Sequence, residues 1–185
     1  MRTHSLYILL GVLLPLNILA DTEDWLSFAS GGDYWGTTPW TCFGLPSAGN
    51  LDLNVVLTQS HTFTRTPWKF QYSYDLWIIN TADANENWNF YINDYLLESF
   101  DSTTSKTSLG SCSYGGISYS ISKHTVSNTV TSVPPLLAGK TYTFMFTNNL
   151  NQHLQDESWS VYNFKVTAYL CDSTCLTCNG ESYNQ

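Results

Sequence analysis

Trp68-Lys69-Phe70-Gln71-Tyr72-Ser73-Tyr74-Asp75-Leu76-Trp77-Ile78 alternates a large apolar residue with a polar one along most of its length. Successive side chains of an extended strand point to opposite faces, so Trp68, Phe70, Tyr72, Tyr74, Leu76 and Ile78 form one stripe that needs a covering surface. Shorter stripes of the same period flank it. Leu53, Val55 and Leu57 share a face, Trp88, Phe90 and Ile92 follow a polar turn, and Tyr142, Phe144 and Phe146 follow Gly139. The last stripe changes phase: Trp159 and Val161 keep one parity, whereas Phe164, Val166, Ala168 and Leu170 keep the other. A β-bulge near Tyr162 or Asn163 restores a single buried face. Ser and Thr dominate from Phe100 to Val133, where Ile117, Tyr119 and Ile121 predict a weak edge strand and residues 125–133 another. The stretch 21–50, punctuated by Gly31-Gly32, Pro39 and Pro46, predicts an irregular wrap with at most one short strand. No window carries sustained helical periodicity. Roughly six to nine short strands with polar turns predict an all-β fold, an antiparallel β-sandwich or jelly roll.

The 185 residues carry a formal net charge of −8, with 15% aromatic and 12% charged side chains. That length is one main domain. With Arg2 set aside in the leader, 6 basic side chains face 15 acidic ones, which excludes a nucleic-acid binder that draws affinity from clustered Lys and Arg. The aromatic content argues against disorder. Arg2 and His4, an apolar run from Leu6 to Leu14, and Ala20 before Asp21 predict a secretory signal peptide over 1–20. Pro15 and Asn17 interrupt that run short of the about 20 apolar residues of a membrane span, so no membrane insertion of the mature chain is expected. The predicted location is secreted, or on the extracellular surface.

Five cysteines then meet an oxidising compartment. Cys42 with Cys112 is the preferred bridge, and a pairing of either with Cys171 stays open. Cys171, Cys175 and Cys178 form a tight C-x3-C-x2-C run, which lacks a nearby fourth ligand for zinc.

Signatures of enzymatic chemistry are missing: there is no G-x-S-x-G elbow, no H-E-x-x-H pair and no Gly-rich phosphate loop. His61, His124 and His153 stand far apart in sequence. A jelly-roll glycosidase needs two carboxyls about 5–9.5 Å apart, and no two acids share one strand face. The expectation is a protein that is not an enzyme. Two acidic loops have the oxygen-rich character that suits calcium: 80–87, with Asp83 and Glu86, and the entry to the final strand, with Asp156 and Glu157. Turn-forming Asn and Asp explain the same composition without a metal. Most of the seven tryptophans continue strand stripes, but Trp35 and Trp40 lie in irregular sequence and are the expected exposed pair for stacking a sugar.

The two acidic loops and the terminal cysteines carry a resemblance. The chain resembles the N-terminal β-sandwich domain of ciliate cell-surface proteins whose remainder consists of furin-like, growth-factor-receptor-type cysteine-rich repeats. Leu76 to Glu86 corresponds to that family's hydrophobic strand and acidic loop, Glu157-Ser158-Trp159-Ser160-Val161 to its Glu-Ser-Trp-Gly-Ile segment, and Cys171, Cys175 and Cys178 to the entry of its repeats. Ser60-His61 and His124 look like histidines preceding two of its strands. Asn80 stands where the family has Asp, Ala82 replaces Trp, and Ser160 replaces Gly. The resemblance implies a galactose-binding-like, extracellular, non-catalytic sandwich. It implies a signal peptide over 1–20, the sandwich over 21–170 and a truncated start of a cysteine-rich repeat over 171–185. The function expected is recognition at the cell surface, with glycans or other surface proteins as partners and calcium as a candidate structural ion. The alternative is a structural coat domain that presents the repeats.

Overall fold

The computed structural model describes residues 21–28, 34–131 and 139–171, and the expectations for the leader, for Cys175 and Cys178 and for most of 171–185 lie outside them. Eleven strands cross the described residues: β1 (Thr22–Ser27), β2 (Trp40–Cys42), β3 (Leu45–Ser47), β4 (Leu57–Thr62), β5 (Pro67–Asn80), β6 (Asn87–Ile92), β7 (Tyr95–Asp101), β8 (Thr107–Tyr114), β9 (Ile117–Thr131), β10 (Thr141–Asn148) and β11 (Glu157–Leu170). A five-stranded antiparallel sheet in the order β1-β11-β5-β9-β8 packs on a four-stranded one in the order β4-β10-β6-β7. The fold is an antiparallel β-sandwich.

The alternating stripes meet between the sheets. Phe70, Tyr72, Tyr74, Leu76 and Ile78 of β5 join Trp88, Phe90 and Ile92, then Tyr142, Phe144 and Phe146, and finally Phe164, Val166 and Ala168, in one core. Aromatic edges dominate it: Phe164 lies 5.5 Å from Phe146 and 5.7 Å from Phe90, ring centre to ring centre. The phase change in β11 is a bulge, because the pairing with β5 shifts between Tyr162 and Lys165. Asn163 sits there at φ 53°, a conformation Asn tolerates, and its N–H donates to the Phe28 carbonyl at 2.8 Å. Past the bulge the outer neighbour of β11 changes. β1 pairs with 164–169, while Ala48 and Leu51 hydrogen-bond to Val161 and Trp159. Buried backbone groups of the final strand are satisfied along both halves by this relay.

Four sequence expectations need correction. The 21–50 stretch holds three short strands, not one at most, because β2 and β3 close a tight hairpin at Phe43-Gly44, both at positive φ. The Ser/Thr-rich 117–131 is one continuous strand paired on both sides, and the edge is β8. Hydroxyls on its outer positions cost nothing in water, so weak hydrophobicity did not mean an edge. Trp68 leaves the core stripe, since the β5–β11 register shifts at that end, and its ring sits 6.1 Å from Tyr169. Leu53 and Val55 pack on the core from the loop before β4 instead of from a strand.

Beyond Tyr74 the alternation of β5 gives way to four consecutive buried residues, Leu76, Trp77, Ile78 and Ile79. A strand buried on both faces reads as a continuous apolar run. The second cover is the β2–β3 hairpin, which lies on the outer face of the large sheet and builds a smaller core from Trp40, Cys42, Trp77, Ile79, Tyr119 and Ile121.

Candidate functional site

The hairpin and its sheet are stapled together. Cys42 on β2 is disulfide-bonded to Cys112 on β8, with Cα atoms 5.9 Å apart across 70 residues of sequence, so the preferred pairing holds and the alternatives with Cys171 fall. Cys171 is disulfide-bonded as well. On the chain-entropy view a loop of this length contributes about 4 kcal/mol. Trp40 is wedged beneath, edge-on to Trp77 at 6.2 Å and to Tyr119 and Tyr114 at 6.4 Å. Tyr114 itself is 55% exposed, at the tip of the β8–β9 hairpin where Gly115 and Gly116 both take positive φ.

Beside this staple opens a cavity of about 250 Å³, walled by Thr37, Thr38, Trp40, Asn50, Tyr114 and Leu154, with Gly49 in its floor. Gly49 is held at φ +109°, and a Cβ there would lie 2.9 Å from the Thr38 carbonyl oxygen, so no larger residue fits without moving the wall. Both amide atoms of Asn50, Nδ2 and Oδ1, are withdrawn from water without a hydrogen-bond partner, and so is the Trp40 indole Nε1. Buried polar groups are normally paired, and leaving one unpaired costs about 1–3 kcal/mol. Asn50 and Trp40 thus line an uncharged cavity beside the exposed Tyr114 with their own polar atoms turned away from its space.

Trp35 and Trp40, expected as an exposed pair, are 8% and 3% exposed and do not stand together on the surface. Trp35 stacks on Trp25 at 5.6 Å inside the main core and donates from Nε1 to the buried Ser27 Oγ at 3.0 Å. Irregular backbone around these rings folds back over the sheets and covers them. Only Trp40 borders a cavity, with its edge. Sequence reading missed Asn50 and Tyr114. Tyr114 had a signal, the Gly115-Gly116 turn that presents it on a hairpin tip, whereas nothing near Asn50 distinguished it from any loop Asn.

The two acidic loops do come together. Thr81 donates from its N–H and its hydroxyl to the Asp156 carbonyl, and Asn80 Nδ2 donates to the Gln155 carbonyl at 2.7 Å. Glu86 and Glu157 are 1% and 0% exposed. Glu86 accepts from the Asp83 N–H at 2.7 Å and the Asn151 N–H at 3.1 Å. Glu157 accepts the Gln152 N–H at 3.3 Å on one oxygen, and its Oε1 has no donor. Burial, then the neighbouring Glu86 carboxylate, and more weakly Asp83, push the Glu157 carboxyl up to about 7, against the pull of the Gln152 N–H. A proton held by Glu157 and shared with Glu86 supplies the missing donor.

Asp156 is exposed and uses its backbone rather than its side chain, and Asp83 accepts from Gln152 Nε2 at 3.1 Å. Among the described residues no group of three or more His, Cys, Asp or Glu side chains is arranged to hold a metal ion. The Glu86–Glu157 pair, expected to lie in acidic surface loops, instead turns inward, out of contact with solvent. The histidines serve packing and surface contacts. His61 stacks on Trp25 at 4.7 Å, His124 Nδ1 lies 2.8 Å from the Ser105 carbonyl, and His153 is largely exposed near Asp52.

Fold and cavity together define a disulfide-stapled antiparallel β-sandwich with an uncharged recess beside the staple. No protein-family model matches the chain, and no match is found among the curated proteins.

Proposed function

We propose that this chain acts outside the cell as a non-catalytic recognition module that binds glycans, on free sugars or on other surface proteins. One observation carries the reading: an uncharged recess of about 250 Å³ lined by threonines, Trp40 and Asn50 beside an exposed tyrosine. Ligand sites combine apolar and aromatic walls with a few convergent polar groups, and sugars offer hydroxyls for the latter and C–H faces for the former. The Cys42–Cys112 bond supports an oxidising compartment, in line with the signal-like leader. The aromatic contact assigned earlier to Trp35 and Trp40 moves to Tyr114, since the indoles are covered.

A glycan array probed with the secreted, disulfide-bonded protein tests this. Reproducible binding that weakens in Tyr114→Ala is the expected result, and a blank array across independent preparations would overturn it.

A structural coat role is the second reading, and the chain's exit from the sandwich favours it. Leu170 N–H donates to the Asp21 carbonyl, Cys171 N–H to the Thr66 carbonyl, and Arg65 Nη1 to the Cys171 carbonyl. Whatever follows Cys171 leaves from a point fixed by three hydrogen bonds, which suits a domain that presents cysteine-rich repeats.

A further inference from the structure

We infer that Glu86 and Glu157 form a proton-operated latch: a proton shared by the two carboxyls keeps the 81–86 loop tied to the 149–156 loop, and its loss lets the loops part while the sandwich stays folded. The inference goes beyond the glycan reading and does not depend on it.

Position argues first. The 81–86 loop runs from β5 to β6 and the 149–156 loop from β10 to β11, so both cross between the large and the small sheet. The carboxyls sit where these crossings meet. Glu86 accepts the Asp83 N–H of its own loop and the Asn151 N–H of the other, while Glu157 accepts the Gln152 N–H. Asn149 adds a second tie, accepting the Asn87 N–H at 2.6 Å and donating from Nδ2 to the Asn85 carbonyl at 3.1 Å.

Charge argues next. Both carboxyls are buried, and among the described residues neither forms an ion pair with Lys, Arg or His. The titratable groups around them are mostly acidic: Asp83 in the first loop, Asp156 beside Glu157, and Asp101 of β7 opposite Asn87. His153 is 88% exposed and faces Asp52, and Lys106 is engaged by the Ser102 carbonyl at 3.0 Å. Two sealed negative charges without a cation repel and lack hydration, so the closed joint favours a proton, and Glu157 Oε1 is the oxygen without a donor. Closed, the Glu157 carboxyl is pushed up to about 7 by burial and then by Glu86; opened to water, it returns toward 4.5. Opening therefore releases a proton to solvent. The open fraction grows by up to about tenfold per pH unit between those two values and levels off above them. Leu154, in the second loop, lines the recess beside the staple, so the latch also sets one of its walls.

Amide hydrogen exchange of the intact, disulfide-bonded protein from about pH 4 to 9, each rate taken relative to the unstructured rate at the same pH, tests the latch. Protection of the Asp83, Asn151 and Gln152 amides is expected to fall about a hundredfold between about pH 4.5 and 7, hold steady above that, and stay below the protection of β5 throughout. In Glu157→Gln, which mimics the protonated side chain, the fall disappears. A fall of the same size in that variant overturns the latch, as does loop protection equal to that of β5 at every pH, which would mean that the loops open only when the whole sandwich unfolds. Carbon-13 NMR of the Glu157 carboxyl in the native protein decides the matter without any variant: a titration midpoint close to 7 supports the latch, and one close to 4.5 overturns it.

Discussion

Asn50 and the Glu86–Glu157 loop pair both bury polar atoms without partners, yet one set is neutral and the other belongs to a carboxyl. At Asn50 the unpaired groups are neutral, so no change of protonation can satisfy them. At Glu157 the unpaired oxygen is sealed between two loops beside a second carboxylate, so satisfaction comes from within, by a proton. A neutral buried orphan is thus a standing cost to the fold, and an ionisable one is a statement about titration.

The largest effect expected of the comparison concerns the staple that holds the recess. Cys42→Ser with Cys112→Ser loses about 4 kcal/mol, which lowers the thermal midpoint by roughly 8–16 °C for a chain of this size. Sugar binding falls with it, while the Glu157 titration persists. A midpoint unchanged by the double substitution would show that the hairpin holds its place without the bond.

Second comes the pH dependence of stability. The folded Glu157 carboxyl takes its proton at about 7, above its ordinary 4.5, so folding takes up a proton between those values. Its stabilising contribution is therefore complete below about pH 4.5 and is lost as pH rises through about 7, a decline on the order of 3 kcal/mol. Urea denaturation across this range should show the decline in the native protein and its absence in Glu157→Gln, which keeps the shape without the charge. A variant no more stable than the native protein at pH 8 would sink the shared-proton account.

Third, Asn50→Leu removes a buried amide that has no internal partner, so stability should rise by about 1–3 kcal/mol. A loss of several kcal/mol would reveal a hidden partner for Asn50. The smallest effect is expected from calcium: excess chelator should leave the thermal midpoint where it was, because Glu86 already has two backbone donors. A clear drop on chelation would return the two loops to the role first read from their composition.

Strand parity survived folding well. The stripe from Phe70 to Ile78 is core, the bulge falls at Asn163, and Cys42 meets Cys112, each from cues within a few residues or from a count of cysteines. Exposure was less legible. Trp35 and Trp40 lie in similarly irregular sequence, yet one is locked in the main core and the other beneath a hairpin, because irregular backbone can cover a sheet as well as leave it. Glu86 and Glu157 are 71 positions apart, and neighbouring Asp83 and Asp156 have the same acidic character while remaining exposed. Composition marked both loops without distinguishing the carboxyls that turn inward.

By itself the sequence determined which residues lie on which side of each strand, since that follows from backbone geometry repeating every second residue. Only the tertiary structure decided which sides acquire a second cover: the hairpin over Trp77 and Ile79, the meeting of the acidic loops, and the recess at Asn50. Those depend on contacts between distant segments, and no local periodicity encodes the distance between two loops.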